Sequence, residues 1–502
     1  MIIEILGAKM LAPYFGTSHF VWTAQIAVTL VALAAGYYVG GRMADRAPEL
    51  ARLYGGLLFA AIYLCVGVLL IRKVAAWCLQ FPLAQGSLLA SSFLFFIPLA
   101  LLAMVGPFFI RVLTSSVQSV GSNIGRLTAI STLGSFMGTV LIGYVLIPYL
   151  PNSITMYITA GLLFVLVAVY FAIWGFDRVI TAVMTLGILF GSLLCYGGVV
   201  QESQPRFGKV EELYRGNSNF GLLQVVQGFR TKGDQPGYRL DRFYMNDYLI
   251  QNTFDPESGK SASVFTYMLH LLPKAYTPEI HDVLCIGLGV GIAPMHFAND
   301  GAKVDVIEIN PAVLHVATNW FNCDPTKLNI NIGDGRQFIN ACTKSYDVVV
   351  LDAFLGDSSP IHLMSQEAFG EMKRILKPEG TLVINSFGDF SPGRDFYTAS
   401  LDKTLRAVFR SVLIHTSGNG NVFFVASAQP ELKILHPPDL SGVLPKVRQG
   451  VYGVEAASAG MPTTDLRHGI VLTDDYNPIE FKDAVNREEM RKRLAKSIQT
   501  FE

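Results

Sequence analysis

The feature that most limits what this chain can become is a set of six apolar stretches in its first two hundred positions, each close to the roughly 20 residues that cross a bilayer as helix. They run about Phe20–Gly41, Gly55–Ile71, Leu88–Val112, Ile124–Leu146, Ile154–Trp174 and Val179–Val199. A helix that is apolar on every face has no polar side to offer water, so these are expected in lipid. Met1–Phe15 is apolar but too short for a full crossing; as a truncated or re-entrant helix it brings the count to six or seven. Residues 1–200 are therefore expected as an α-helical polytopic membrane domain. Gly134, Ser135, Gly138 and Gly143 recur at near-helical spacing in the fourth stretch, which predicts close helix packing there. Glu4 is an ionisable group inside a membrane segment and so a functional candidate by default; pairing with Lys9 or an interfacial position is the plainer reading.

Charge sharpens the division. The 502 residues carry no net charge, with ionisable groups sparse before Gln201 and mixed after it, and nothing in that balance points to nucleic acid. Cys65, Cys78, Cys195, Cys285, Cys323 and Cys342 show neither a C-x-x-C pair nor regular spacing, so they read as ordinary buried thiols and no metal site is expected. The start of the chain lacks the basic region and cleavage site of a signal peptide, so the spans themselves are expected to direct insertion.

The pattern changes after the last span. "FGLLQVVQ" (Phe220–Gln227) and "RFYMNDYLIQNTF" (Arg242–Phe254), joined by the Gly/Pro/Asp-containing "RTKGDQPGYRL", predict a small β-subdomain over 201–264. From 265 to 502, the apolar runs "DVLCIGL", "KVDVIEI", "YDVVVLDAF", "TLVINSF" and "NVFFVAS" alternate with helical stretches such as "SQEAFGEMKRIL". That alternation predicts a Rossmann-like α/β domain, a parallel sheet with helices on both faces.

The chemistry gathers at the strand ends of this last domain. Val283–Ile286 is a buried strand followed by Gly287, Gly289 and Gly291, which permit a tight turn and close backbone approach to a ligand. About twenty residues on, the next strand ends at Glu308, placed to accept from ribose hydroxyls. Asp334 and Gly335 follow a third strand, where a carboxylate can accept from an adenine amino group, and Asp352 ends a fourth. Each acid alone could be a helix N-cap or a solvated loop carboxylate, but their ordered succession favours a nucleoside-containing ligand. Together the four elements look like class I S-adenosylmethionine-dependent transferases.

A narrower resemblance rests on "YDVVVLDAFLGDSSPIHLMSQEAF", "LKPEGTLVINSF", "LTDDYNPIE" and the "GGRMADR" of the membrane part. The chain resembles the bacterial fused major-facilitator/spermidine synthase-like membrane proteins over nearly its whole length. The resemblance implies decarboxylated S-adenosylmethionine as cofactor, aminopropyl transfer to an amine, and release of methylthioadenosine. It assigns Glu308 to ribose, Asp334 to adenine, Asp352 to the acid/base role and Gln251, in "YLIQNT", to the cofactor. Three departures bear on the acceptor: Val290 and Leu355 stand where soluble spermidine synthases carry aspartates, and "SVFTYMLH" replaces a tyrosine-led polar cluster. Burying a dication without paired carboxylates is costly, so putrescine is a poor candidate. Asp357 and His362 are candidates for substrate contact, with loop solvation as the alternative, and Asp474 and Asp475 are expected to cap a local turn.

Two rivals remain in view. Intact S-adenosylmethionine and methyl transfer would use the same glycine loop, Glu308 and Asp334. A transporter with an adenosyl-sensing domain would need a second half, which a homodimer could supply. The arginines disagree with the chemistry about sidedness. Arg42, Arg46, Arg52, Arg111, Arg126 and Arg178 fall on one side, which the positive-inside rule makes cytoplasmic, and five crossings then put the C-terminal domain outside. A cofactor made in the cytoplasm of a bacterial cell predicts the opposite placement.

Overall fold

The computed structural model describes residues 1–16, 19–114, 116, 120–174, 178–203, 210–228, 241–354, 360–416, 420–448 and 462–489. Met1–Arg206 and Phe207–Glu502 form two compact units.

In the first unit a short helix, α1 (Ile2–Phe15), precedes α2 (His19–Arg46), α3 (Leu50–Cys78), α4 (Leu83–Leu113), α5 (Val120–Tyr149), α6 (Asn152–Trp174) and α7 (Arg178–Ser203). Among the described residues, six helices are long and apolar enough to cross a membrane, and each contains one of the stretches read from the sequence. α1 is a 14-residue helix whose Leu6, Leu11 and Phe15 are buried within the unit. Glu4 lies half-buried in its first turn.

Close packing falls only in part where the small residues of the fourth stretch suggested: a Cβ at Gly138 would come 3.2 Å from Ile2 of α1. A Cβ at Gly134 or Gly143 would meet nothing within 4 Å, and between Val120 and Leu141 no residue of α5 is buried. A tighter backbone approach is between α2 and α4. A Cβ at Gly36 would come 2.2 Å from the Ala100 carbonyl oxygen, and one at Gly40 would come 2.8 Å from Met104. Small residues permit approach, but only a facing helix realises it. The fold also brings together two thiols that spacing left unpaired, Cys65 and Cys195, with sulfurs 3.1 Å apart.

The second unit begins with an antiparallel five-stranded sheet: β1 (Val210–Ser218), β2 (Gly221–Gly228), β3 (Arg242–Asn246), β4 (Leu249–Asp255) and β5 (Lys260–Ser261). The stretch "RFYMNDYLIQNTF" forms two strands. Asp247 and Tyr248 take positive φ, 47° and 64°, and turn the chain between β3 and β4, while Asp247 accepts from the Leu222 N–H at 2.9 Å.

The α/β part follows, with β6 (Asp282–Ile286), β7 (Lys303–Glu308), β8 (Asn329–Ile332), β9 (Tyr346–Leu351), β10 (Leu376–Phe387), β11 (Ser411–Thr416) and β12 (Asn421–Ser427). Its helices are α8 (Val264–Tyr276), α9 (Ile292–Asn299), α10 (Pro311–Trp320), α11 (Gly335–Ala341), α12 (Gln366–Arg374) and α13 (Phe396–Val408). The sheet order is β11-β12-β10-β9-β6-β7-β8, and the β10-β9-β6-β7-β8 portion is parallel. The edge departs from the all-parallel expectation, since β12 runs antiparallel to both β10 and β11. Val283 and Cys285 pack into one core and Leu284 and Ile286 into another, so β6 is buried on both faces and reads as a continuous apolar run. The order of connection reverses at β6, which puts a crevice at the carboxyl ends of β6 and β9.

Candidate active site

The loop after β6 is built by strand convergence. Gly287 donates to the Ile307 carbonyl of β7 at 2.8 Å, and Asp352 donates its N–H to the Ile286 carbonyl at 3.0 Å. A Cβ on Gly287, which sits at φ +99°, would lie 2.3 Å from the Asp352 carbonyl oxygen, so no larger residue fits between the two strand ends. Gly287 and Gly289 both line a cavity of about 410 Å³. Gly291 does not, contrary to its expected cofactor role. It caps α9 in the left-handed conformation at φ +81°, and a Cβ there would come 2.6 Å from the Cys323 sulfur. Its work is the turn into the helix.

Glu308, only 7% exposed, reaches back to this loop. Oε2 accepts from the Leu288 N–H at 2.9 Å and Oε1 from the Asn310 N–H at 2.8 Å. Burial raises its pKa, and the backbone donors oppose the rise. Asp334 also lines the cavity, but both its oxygens are engaged: Oδ1 caps α11 through the Gln337 N–H at 2.9 Å, and Oδ2 lies 3.0 Å from the His362 ring. The N-cap reading is realised, and the carboxylate shares its second oxygen with a second candidate, His362. Gly335 brings the start of α11 against β6, where a Cβ would come 2.7 Å from Ile286. Gln251 lines the cavity from β4. Asp357 lies outside the described residues.

Asp352 is half-buried at the end of β9 and lines the cavity. Burial pushes its carboxyl up to about 6, opposed by the hydrogen bond from Asn385 and reinforced by the charge of Glu308. That bond is 2.9 Å from Asn385 Nδ2 to Asp352 Oδ1, and Asn385 Oδ1 in turn accepts from Asn421 Nδ2 at 3.0 Å. Neither amide was singled out from the sequence, yet Asn385 interrupts the apolar run "TLVINSF" at a strand end. A buried amide in such a place must find a partner, and that was the available signal.

Asp474 departs from its expected turn-capping role. It pairs with the Arg336 guanidinium at 2.8 Å and accepts from the Ser365 hydroxyl, while Arg336 also donates to the His362 carbonyl at 2.8 Å. The turn itself is held by Thr473 and Tyr476. A late segment thus braces the wall that carries His362 and Asp334.

Strand order divides the cavity at β6. Glu308 and Asp334 stand on the β7–β8 side, whereas Asp352, Asn385, Phe354 and Phe387 stand on the β9–β10 side. Among the described residues no lysine or arginine lines either side. The Phe354 and Phe387 rings pair with centroids 5.2 Å apart and planes 56° apart.

The comparisons with known proteins fall on this same region. A methyltransferase domain family matches residues 284–384. A polyamine aminopropyltransferase of Vibrio vulnificus is 30% identical over 166 residues, 32% of this chain and 55% of that protein. These two likenesses support a class I S-adenosylmethionine-dependent transferase domain in this part of the chain. An N-terminal histidine N-methyltransferase of Emericella nidulans is 30% identical over 146 residues, 28% of this chain and 25% of that protein. An eEF1A lysine and N-terminal methyltransferase of Xenopus laevis is 35% identical over 133 residues, 23% of this chain and 19% of that protein. The chain therefore spans about half the length of the first relative, 55%, and still less of the other two.

Proposed function

We propose that the chain is a membrane-bound transferase that moves the aminopropyl group of decarboxylated S-adenosylmethionine to an amine, with Asp352 taking the acceptor's proton. The observation that carries this reading is the charge of the cavity: Glu308, Asp334 and Asp352 line it, and no lysine or arginine does among the described residues. The decarboxylated cofactor brings two positive charges and no carboxylate. The intact cofactor brings a carboxylate as well, which asks for a cation or N–H donors.

The ligand supplies a carbon activated by its neighbouring sulfonium. In this reading Gly287 and Gly289 let the backbone approach it, and Glu308, anchored by two backbone N–H groups, keeps lone pairs for ribose hydroxyls. An ammonium has no lone pair to attack with, so Asp352 orients the acceptor and accepts a proton, directly or through water. The freed amine bonds the activated carbon, the C–S bond breaks with its electron pair going to sulfur, and methylthioadenosine leaves.

Methyl transfer is the second reading, supported by the methyltransferase family match and by two methyltransferase relatives. Calorimetry on detergent-purified protein separates the two. Preference for the decarboxylated cofactor over the intact one supports aminopropyl transfer; the reverse moves the chain to methyl transfer, and binding of neither, nor of methylthioadenosine, sinks both. We place Phe207–Glu502 on the cytoplasmic side of a bacterial cell membrane, where such cofactors are made. A C-terminal reporter that works only outside the cytoplasm stays silent under this placement and turns on if the arginine distribution governs.

A further inference from the structure

We infer that Asn252 is a specificity-determining residue of the cavity: its amide oxygen takes the ammonium at the end of the chain carried by the ligand's sulfonium. The inference rests on the proposed reading in one respect, that an adenosyl sulfonium is bound with its ribose at Glu308.

The placement of Asn252 begins with a shift in strand pairing. Tyr244 of β3 faces Asn252 of β4, but the next residue, Met245, faces Ile250, so Gln251 has no residue opposite it on β3. A bulge of this kind bends its strand and re-aims side chains. Here Ile250, Gln251, Asn252 and Thr253 follow one another along the cavity wall, where an unbroken strand would present every second residue. Gln251 turns back on its own strand, with Nε2 3.5 Å from the Leu249 carbonyl. Asn252 is 6% exposed, and its Oδ1 has no hydrogen-bond partner among the described residues. A buried amide oxygen that the protein leaves unmatched is uncommon, and in a cavity wall it marks a place for a donor of the ligand. Asn246 also lines the cavity with an unpartnered Oδ1, but that oxygen faces the turn at Gly221, where a Cβ would come 2.5 Å from it.

The neighbours of Asn252 say which donor. With Gly287, Gly289 and Asp352 it borders a recess of about 10 Å³ beside the main cavity, and a Cβ on Gly289 would come 3.7 Å from its Nδ2. In the proposed reaction the activated carbon is the first of the chain on sulfur and lies beside the amine that Asp352 orients. The rest of that chain is then within reach of the glycine loop and of Asn252. An ammonium carries only donors and an amide oxygen only lone pairs, so the two match. Val290, the next loop residue at the recess, is apolar and 1% exposed and offers nothing to a charge. After transfer the ammonium leaves with the acceptor, so methylthioadenosine has no bond to Asn252 to break on release.

The test uses the full-length protein in detergent, titrated calorimetrically with methylthioadenosine, which has no ammonium, and with the decarboxylated and intact cofactors, which both have one. Asn252→Ala is expected to weaken the two ammonium-bearing ligands about tenfold, or about 1.4 kcal/mol, while methylthioadenosine affinity stays within about twofold. The lost amide oxygen leaves no protein donor unpaired, so the thermal midpoint of the ligand-free variant is expected not to fall. Asn252→Asp puts a charge in the same place and is expected to tighten the decarboxylated cofactor, and the intact one less because its own carboxylate is repelled. Equal loss of all three ligands in Asn252→Ala marks a structural role and overturns the inference. Unchanged binding of all three overturns it too, as does an Asn252→Asp protein that favours the ammonium-bearing ligands over methylthioadenosine no more than wild type does. The proposed function fails separately. A wild-type preference for the intact cofactor, with Asn252→Ala still costing both ammonium-bearing ligands and sparing methylthioadenosine, sinks aminopropyl transfer and leaves Asn252 in its role. A wild-type preference for the decarboxylated cofactor with Asn252→Ala indifferent to the chain does the reverse, and binding of none of the three overturns both.

Discussion

On the β7–β8 side of the cavity each carboxylate takes backbone N–H groups, Asp334 with the His362 ring besides, and on the β9–β10 side Asp352 is held by a side chain. Glu308 takes N–H groups from Leu288 and Asn310, and Asp334 takes one from Gln337. Asp352 takes a single amide N–H from Asn385 on Oδ1, which leaves Oδ2 without a donor among the described residues. Backbone donors are fixed once the strands pair, so they suit a group whose task is to stay charged and in place. A side-chain donor leaves an oxygen free and an acidity that neighbours can move, which suits a group that must take up and release a proton. Under the proposed reading, the difference separates binding from chemistry within one cavity.

The largest expected effect comes from removing the proton acceptor. Asp352→Asn keeps the size of the side chain and is expected to lower turnover by about 10²–10⁴, the usual contribution of general acid–base catalysis. Methylthioadenosine affinity should change by no more than a few fold, as calorimetry would show. Equal losses in turnover and affinity would erase the division between the two sides.

Glu308→Ala should act in the opposite way, through binding and stability. It strips acceptors from two N–H groups around a side chain that is 7% exposed, at about 1–3 kcal/mol for each donor left buried and unpaired. Thermal unfolding of the full-length protein in detergent and methylthioadenosine titration are expected to show a lower midpoint and weaker binding together. A Glu308→Ala protein with unchanged affinity would mean that the ligand lies elsewhere.

How much of this was readable beforehand follows from how local each signal is. Gly287, Glu308 and Asp352 end consecutive buried strands, and strand ends are visible in an apolar run that stops at a glycine or an acid. The six long apolar helices were visible for the same reason, since a run of apolar residues carries its own length. Gly291 turns the chain into α9 while Gly287 and Gly289 line the cavity, a division that a glycine triplet does not show by itself. The Asn421–Asn385–Asp352 chain was not legible because it depends on β12 pairing antiparallel with β10, a contact across the sheet. Asp474 was read as a local cap, yet its partner Arg336 lies 138 residues away in the chain. Packing of α5 was legible only at Gly138, which meets Ile2, since composition shows which helix can be approached closely and not which one is.

The finest test of the comparison is acidity. With the Asp352 carboxyl pushed up to about 6, kcat/KM should rise with pH through that region as the carboxylate forms, and level off above it. Asn385→Ala removes a hydrogen bond that favours the charged form, so the rising limb should move to higher pH, with Asn421→Ala moving it less because it acts through Asn385. The sign for folding runs the other way from a salt-bridged acid. A carboxylate whose pKa is raised in the folded state stabilises most below its unfolded value near 3.9, and that contribution fades as pH climbs through about 6. A bound dication favours the charged form and should pull the limb of kcat below that of kcat/KM, whereas a neutral acceptor and a singly charged cofactor would pull it less. Rate profiles of wild type and Asn385→Ala against both cofactors therefore measure, in one set of curves, whether Asp352 is tuned by its amide partner and by the charge of what binds beside it.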